Sequence, residues 1–392
     1  MENLVIYRKY RPQTFAQVIG QDHLVKTVTY AISQEKPAHA YLFSGTRGVG
    51  KTTVARLIAK ALNCEGRTTN YEVQSTKKEG QGIEKKKLHT SDFKLQSSYE
   101  PCNKCASCVS IDLSRSVDLL ELDAASHRGI DEAKSLIESV KYPPVNSKYK
   151  VFIIDEVHML TKEAFNSLLK TIEEPPPYAV FILATTEPQK VPQTIISRCQ
   201  YFELKRLSVE DIKTKLKMII KEEGITMDKR SLDFIARGGR GSFRDMESLL
   251  EQIISQSKKD ITWQDLEDIL GIVSPEAVRN FLGIVFDKDA KKAINFIGEI
   301  FSRGKDLEQL NTQIIDYLRL TILGKIDKTL LEAHNLDKIE EEEIVELGKK
   351  IQEAKALRLI ELYAKAHREV NQYPSSEMST EIATIEAVEI LK

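Results

Sequence analysis

What this 392-residue chain lacks narrows its reading before any motif is considered. No run of about 18 or more apolar residues occurs, so the sequence predicts no membrane-crossing helix. The N-terminus, Met1-Glu2-Asn3-Leu4-Val5-Ile6-Tyr7-Arg8-Lys9-Tyr10, lacks the apolar core of a secretory signal, and a cytoplasmic location is expected. Only 5 cysteines are present. Disulfides are rare in that compartment, so these cysteines are expected as thiols or metal ligands. An excess of either charge is missing as well: 57 Lys and Arg against 58 Asp and Glu give a formal net charge of −1. The chain as a whole is no polycation, and any nucleic-acid contact needs a local basic face. Apolar residues make up 41% and charged residues 29%, a soluble globular composition. The length exceeds what one ordinary core serves, so two or three domains are expected.

What is there centres on Gly45-Thr46-Arg47-Gly48-Val49-Gly50-Lys51-Thr52, which reads GxxxxGK[ST]. The apolar run Ala40–Ser44 precedes it, and a helical pattern from Thr53 to Leu62 follows. Strand, glycine loop and helix in that order form a phosphate site. Glycines let backbone N–H groups turn inward on an anion, and the helix N-terminus adds partial positive charge. Lys51 supplies a mobile charge for the β- and γ-phosphates, and the Thr52 hydroxyl is a ligand for Mg²⁺. Upstream, Leu24, Val25, Val28, Ala31 and Ile32 predict a helix over Asp22 to Gln34 with Asp22 as its cap.

Residues 65 to 101 form a polar insertion with a Lys85-Lys86-Lys87 run, more simply a solvated loop than a DNA contact. Cysteines bracket it: Cys64 before, then Cys102-Asn103-Lys104-Cys105-Ala106-Ser107-Cys108 after. CxxCxxC with a fourth cysteine suits tetrahedral Zn²⁺; an iron–sulfur cluster accepts the same four thiolates, and four free thiols are the bland alternative.

Further on, Val117–Asp123 predicts a second strand and the stretch from about Ile130 to Val140 a helix. Lys150-Val151-Phe152-Ile153-Ile154-Asp155-Glu156 is an apolar run ending in two acids, a buried parallel strand with carboxylates at its C-terminal edge, where ligands of open α/β sheets bind. Asp155 is placed for the Mg²⁺ shell and Glu156 to orient and deprotonate an attacking water. His158 reads as a structural neighbour. A helix over Lys162 to Glu173 stops at Pro175-Pro176-Pro177. A fourth strand, Ala179–Thr185, ends in Thr185-Thr186-Glu187, where a polar side chain reaches the water between Glu156 and the γ-phosphate; Gln200–Leu204 is a fifth. Alternating strands and helices predict a parallel, three-layer α/β domain. From Ser208 onward the chain reads all helical, with Ser208 and Ser242 as N-caps. Arg244 falls in a first helical turn, against the dipole preference, which hints that it faces an anion.

Together, Tyr10-Arg11-Pro12-x-x-Phe15, Gly45 to Thr52, the cysteine box, Asp155-Glu156-Val157-His158-Met159-Leu160, Ala184-Thr185-Thr186-Glu187-Pro188, Ser197-Arg198-Cys199 and Gly241-Ser242-x-Arg244-Asp245 stand in the order of the AAA+ clamp-loader ATPases. The cysteine box resembles that of the gamma/tau subunits of bacterial DNA polymerase III. The resemblance implies an AAA+ P-loop NTPase domain over residues 1–206, carrying a zinc module at 64–108, then a helical lid over 207–260 and an all-α collar over 261–392. ATP would be held by Arg11, Gly45 to Thr53 and Arg244, with Thr52 and Asp155 on Mg²⁺ and Cys64, Cys102, Cys105 and Cys108 on Zn²⁺. Lys51, Asp155, Glu156, Thr186 (sensor 1, with Thr185 adjacent), Arg198 (a finger to the neighbouring subunit's ATP) and Arg244 (sensor 2) would carry hydrolysis.

Such proteins join delta, delta-prime and further gamma copies in a pentamer. That assembly opens a sliding clamp and loads it on primed DNA within a polymerase holoenzyme. This chain itself would bring no polymerase site. Arg128, Lys134 and Lys170 would touch DNA backbone without reading sequence. The insertion is longer than expected and loosens the claim that Cys64 completes the zinc site. The chain stops after the helical collar, which reads as a gamma-like, loading-only form.

Three other classes compete. A non-hydrolysing scaffold subunit usually lacks a working phosphate loop, a branch-migration ATPase would carry a winged-helix end, and a small-molecule kinase needs lid arginines not seen here.

Overall fold

The computed structural model describes residues 5–66, 99–126, 135–136, 138–256, 259–332, 336 and 338–392. They divide into two compact units: residues 1–224 with 232–252, and residues 225–231 with 253–392.

In the first unit, helix α1 (Asp22–Ser33) leads to strand β1 (Ala40–Ser44), the phosphate loop and helix α2 (Lys51–Asn63). Helix α3 (Ala106–Asp112) carries the end of the cysteine box. Strands β2 (Leu119–Asp123) and β3 (Lys150–Asp155), helix α4 (Lys162–Glu173) and strands β4 (Ala179–Thr185) and β5 (Gln200–Glu203) complete the core. Helix α5 (Val209–Glu223) follows, then α6 (Lys229–Gly238) and α7 (Phe243–Gln256), of which residues 232–238 and 243–252 belong to this unit.

The five strands are parallel in the order β2-β3-β4-β1-β5. Strands β1 and β4 are buried along their whole length, as a sheet covered on both faces requires. Side chains alternate between two cores. Tyr41, Phe43, Val151, Ile153, Val180 and Ile182 pack with α1 and α2. Leu42, Phe152, Ile154, Phe181 and Leu183 pack with Phe165, Leu168 and Ile172 of α4. The order matters for the site. Strand β4 lies between β1 and β3, with Ser44 opposite Thr185 and Ile154 opposite Leu183. Thr185 and Thr186 therefore emerge between the phosphate loop and the acidic pair.

Helix α1 departs from expectation at its start. Gln21 is its N-cap residue without a side-chain cap bond, and Asp22 is the first helical residue. Asp22 is thus placed to act on the dipole instead of capping. Ser208 caps α5 in a reciprocal box with Asp211, and Ser242 accepts the Asp245 N–H at 3.2 Å.

In the second unit, helix α8 (Trp263–Leu270) is followed by helices α9 (Pro275–Phe286), α10 (Ala290–Ser302), α11 (Leu307–Ile326), α12 (Lys338–Lys350), α13 (Glu353–Glu369) and α14 (Ser376–Leu391), which surround one core. Phe281, Ile314, Leu318, Leu359 and Tyr363 are among its fully buried members. The expected all-helical reading is corrected at one place: β6 (Thr226–Met227) pairs in parallel with β7 (Asp260–Ile261). The Thr226 hydroxyl donates to Asp260, anchoring the pair. Two residues are too few for a period-2 pattern to show in sequence. No single described helix is long and apolar enough to cross a membrane.

Candidate nucleotide site and cysteine cluster

Three glycines shape the phosphate loop with positive φ: Gly45 at 144°, Gly48 at 80° and Gly50 at 107°. A side chain could not replace the first two. A Cβ on Gly45 would meet the Leu204 carbonyl at 2.6 Å, and one on Gly48 would meet Ser242 Oγ at 1.9 Å. The Gly48 carbonyl accepts the Phe243 N–H at 3.1 Å, so the loop touches the start of α7. Thr46 is half-buried, Arg47 exposed and Val49 buried, and Thr53 lies in the first turn of α2.

Lys51 is 6% exposed. Its Nζ donates to the carbonyls of Gly45 at 2.8 Å and Thr46 at 3.1 Å, and burial pulls its pKa below the usual lysine range. Thr52 Oγ1 donates to Asp155 Oδ2 at 2.7 Å, bringing the loop hydroxyl and the β3 carboxylate together. These are hard oxygen donors at one point, the set that Mg²⁺ takes beside phosphates.

Glu156 follows with φ of 47°, its N–H donating to Asp155 Oδ1 at 2.9 Å. This left-handed turn directs its carboxylate to the end of β4. There Glu156 Oε2 accepts from Thr186 N at 3.1 Å and Thr186 Oγ1 at 2.9 Å. Thr185, fully buried, instead meets His158 Nδ1 at 2.9 Å. The contacts of His158 with Thr185 and Glu187 were not legible in sequence, because residues far apart in the chain meet only through the sheet register.

Arg11 is half-buried, its pKa lowered by burial and then by the nearby Arg56 charge. Arg244 is exposed, with its guanidinium 5.6 Å from the Tyr7 ring centre. Arg198 stands apart. It pairs with Glu173 at 2.7 Å and donates to the Thr194 carbonyl at 2.9 Å, neither of them a phosphate-loop residue. Lys170 is exposed on α4. Arg128 and Lys134 lie outside the described residues, as does most of the 65–101 insertion.

The four cysteine sulfurs of Cys64, Cys102, Cys105 and Cys108 lie within 4.8 Å of one another. A tetrahedral ion with sulfur at about 2.3 Å sets its ligands about 3.8 Å apart, so the cluster fits. The backbone is arranged as thiolates require: Cys102 Sγ accepts N–H bonds from Lys104 at 3.5 Å and Cys105 at 3.3 Å, Cys64 Sγ accepts one from Cys102 at 3.3 Å, and Cys105 Sγ one from Cys108 at 3.4 Å. The bond from the Lys104 N–H holds the Cys102 thiol down to about 6, while burial pushes Cys64 and Cys108 up.

Two contacts that the sequence did not disclose fasten this cluster to the nucleotide side. The buried Lys60 of α2 donates to Asp112 Oδ1 at 2.8 Å, Asp112 Oδ2 at 2.7 Å and Gln13 Oε1 at 2.6 Å. Glu100 accepts the N–H groups of Phe15 at 2.7 Å and Ala16 at 2.9 Å.

The sheet order, the glycine loop after β1 and the acidic residues ending β3 define an AAA+ P-loop NTPase fold. Three family models match. "DNA polymerase III, delta subunit" covers residues 20–94 and 86–208, "DNA polymerase III clamp loader subunit, ATPase lid domain" covers 211–259, and "DNA polymerase III subunits gamma and tau domain III" covers 261–391. The DNA polymerase III subunit tau of Bacillus subtilis is 38% identical over 98% of this chain and 63% of its own length. The subunit gamma of Buchnera aphidicola subsp. Schizaphis graminum is 34% identical over 100% of both chains. Among solved structures, the RuvB Holliday junction branch migration motor of Thermotoga maritima aligns with a TM-score of 0.45 at 17% identity, over 70% of this chain and 78% of that one. The chain belongs to the DNA polymerase III gamma/tau subunit family. Of three tau-named relatives it spans 63%, 47% and 47% of the length.

Proposed function

We propose that this chain is an ATP-hydrolysing clamp-loader subunit of a bacterial DNA polymerase III holoenzyme. It would bind ATP and use hydrolysis to open a sliding clamp and release it onto primed DNA. The observation that carries this reading is the 2.7 Å contact of Thr52 with Asp155, which joins phosphate loop and acidic strand at one metal position.

In this reading the inward N–H groups from Gly45 to Thr53 and the Lys51 ammonium hold the phosphates, and Arg11 and Arg244 add positive charge. When bound between Thr52 and Asp155, Mg²⁺ would neutralise charge building on the β- and γ-phosphates. Glu156 takes the proton of the attacking water, and Thr186 fixes Glu156 in place. Arg198, apart from its own chain's loop, reaches the ATP of a neighbouring subunit. The four cysteines hold a structural zinc.

The domains run 1–206, 207–260 and 261–392, a division supported by the spans of the lid and domain III models. The partners are further gamma copies, delta and delta-prime subunits in a pentamer, the clamp, and primed DNA contacted by Lys170, Arg128 and Lys134. The location is cytoplasmic. Polymerase activity belongs to the holoenzyme, not to this chain.

Steady-state ATPase assays on the parent and on Lys51→Ala and Glu156→Gln test the reading. Lys51→Ala should lose nucleotide binding, and Glu156→Gln should keep binding but lose turnover. Undiminished turnover in Glu156→Gln would remove Glu156 from the mechanism.

A further inference from the structure

His158 is 6% exposed at its side chain and lies two residues after Glu156, within a short 3-10 turn (Val157–Met159). Its ring stands among three groups. Nδ1 lies 2.9 Å from Thr185 Oγ1 and 3.5 Å from Glu156 Oε2, and Nε2 lies 3.4 Å from Glu187 Oε1. Thr185 Oγ1 accepts the Glu187 N–H at 3.0 Å and has His158 Nδ1 beside it at 2.9 Å. In the tautomer with the Thr185 hydroxyl as donor, Nδ1 accepts and the ring N–H on Nε2 faces the Glu187 carboxylate.

That tautomer has a consequence for Glu156. An accepting Nδ1 offers no hydrogen to Glu156 Oε2, and two acceptors face each other across 3.5 Å. The Glu156 oxygen is instead taken by the two donors on its other side, the Thr186 N–H and hydroxyl. We infer that His158 is a positioning residue for Glu156: held by Thr185, its ring fences the carboxylate onto Thr186 and so sets the direction from which Glu156 meets the attacking water. This rests on the reading of Glu156 as the base of ATP hydrolysis.

The experiment is ATPase kinetics and nucleotide affinity on the full chain, with its clamp-loader partners, clamp and primed DNA. His158→Leu fills a similar volume without a ring acceptor. His158→Asn returns an amide oxygen near the Nδ1 position, able to accept from Thr185. A misplacement of about 1 Å costs about 10²-fold in rate. His158→Leu should therefore lose about 10–100-fold in kcat with KM and ATP affinity within about twofold, and His158→Asn should recover most of that loss.

Thr185→Val removes the donor that holds the ring. It should reproduce the kcat loss and add little to it in combination with His158→Leu. Should His158→Leu fail to fold, Thr185→Val carries the same test. Three results would overturn the inference: kcat of His158→Leu within twofold of the parent, His158→Asn no better than His158→Leu, or losses shared equally between kcat and affinity. Glu156→Gln in the same assay separates the two claims. If it stays active, the base assignment fails. If it is inactive while the His158 and Thr185 variants match the parent, only the positioning role fails.

Discussion

Thr52 Oγ1 donates to Asp155 Oδ2 across 2.7 Å, although 103 positions separate the two residues in the chain. Strand β1 delivers the loop that ends in Thr52, and β3, two strands away in the sheet, delivers Asp155. Both oxygens suit a hard divalent cation, whose charge stabilisation on a transferring phosphoryl group is worth several kcal/mol. Thr52→Ala and Asp155→Asn should each lower magnesium-dependent hydrolysis about 10²-fold or more. Both should bind a nucleotide indistinguishably from the parent when magnesium is withheld. Titrating hydrolysis against magnesium concentration checks this.

Arg198 is exposed and pairs with Glu173, an ion pair worth less than about 1 kcal/mol at a surface. Arg198→Ala should therefore leave the unfolding midpoint nearly unchanged and ATP affinity intact. An arginine finger contributes about 10³–10⁵ in rate, so turnover stimulated by the assembled partners should fall by at least about 10³. Stimulated turnover equal to the parent's would remove the finger assignment.

The cysteine cluster should carry one zinc per chain, read by elemental analysis of protein purified without added metal. Cys102→Ser and Cys108→Ser should each lose it and lower the melting temperature. In a domain of this size each kcal/mol lost shifts the midpoint by about 2–4 °C. Because Lys60 of α2 binds Asp112 and Gln13 together, metal loss should also weaken nucleotide binding, measurable by titration of a fluorescent nucleotide.

Lys215 and Glu247 form an ion pair at 2.7 Å with side chains 6% and 5% exposed, and burial pushes the Glu247 carboxyl up. Removing one partner of such a pair strands the other charge, at about 3–5 kcal/mol, while apolar replacement of both is often neutral. Glu247→Ala should be severely destabilised in urea unfolding. The Lys215→Met, Glu247→Leu double variant should return close to the parent.

The parts of the fold that showed in the sequence are those with a strong local signature. Strands β1, β3 and β4 are continuous apolar runs because both sheet faces are covered, and the glycine loop sits where its three positive φ angles demand it. The Ser208 cap was legible from the acid three residues on. What stayed hidden depends on distant residues meeting. The grip of Thr186 on Glu156, the ring of His158 between Thr185 and Glu187, and Lys60 on Asp112 follow from sheet register and helix packing, which no local pattern encodes. The β6–β7 pair is too short to carry a period. Asp22 looked like a cap, since an acid opening a helix fits either the cap or the first turn.

The most direct test of the clamp-loader reading is steady-state ATP hydrolysis by the purified chain, measured alone, with delta and delta-prime subunits, and with clamp and primed DNA added. An active site completed by Arg198 of a neighbour predicts low turnover alone and strong stimulation in the full mixture. High turnover by the chain alone, indifferent to clamp and primer, would contradict it.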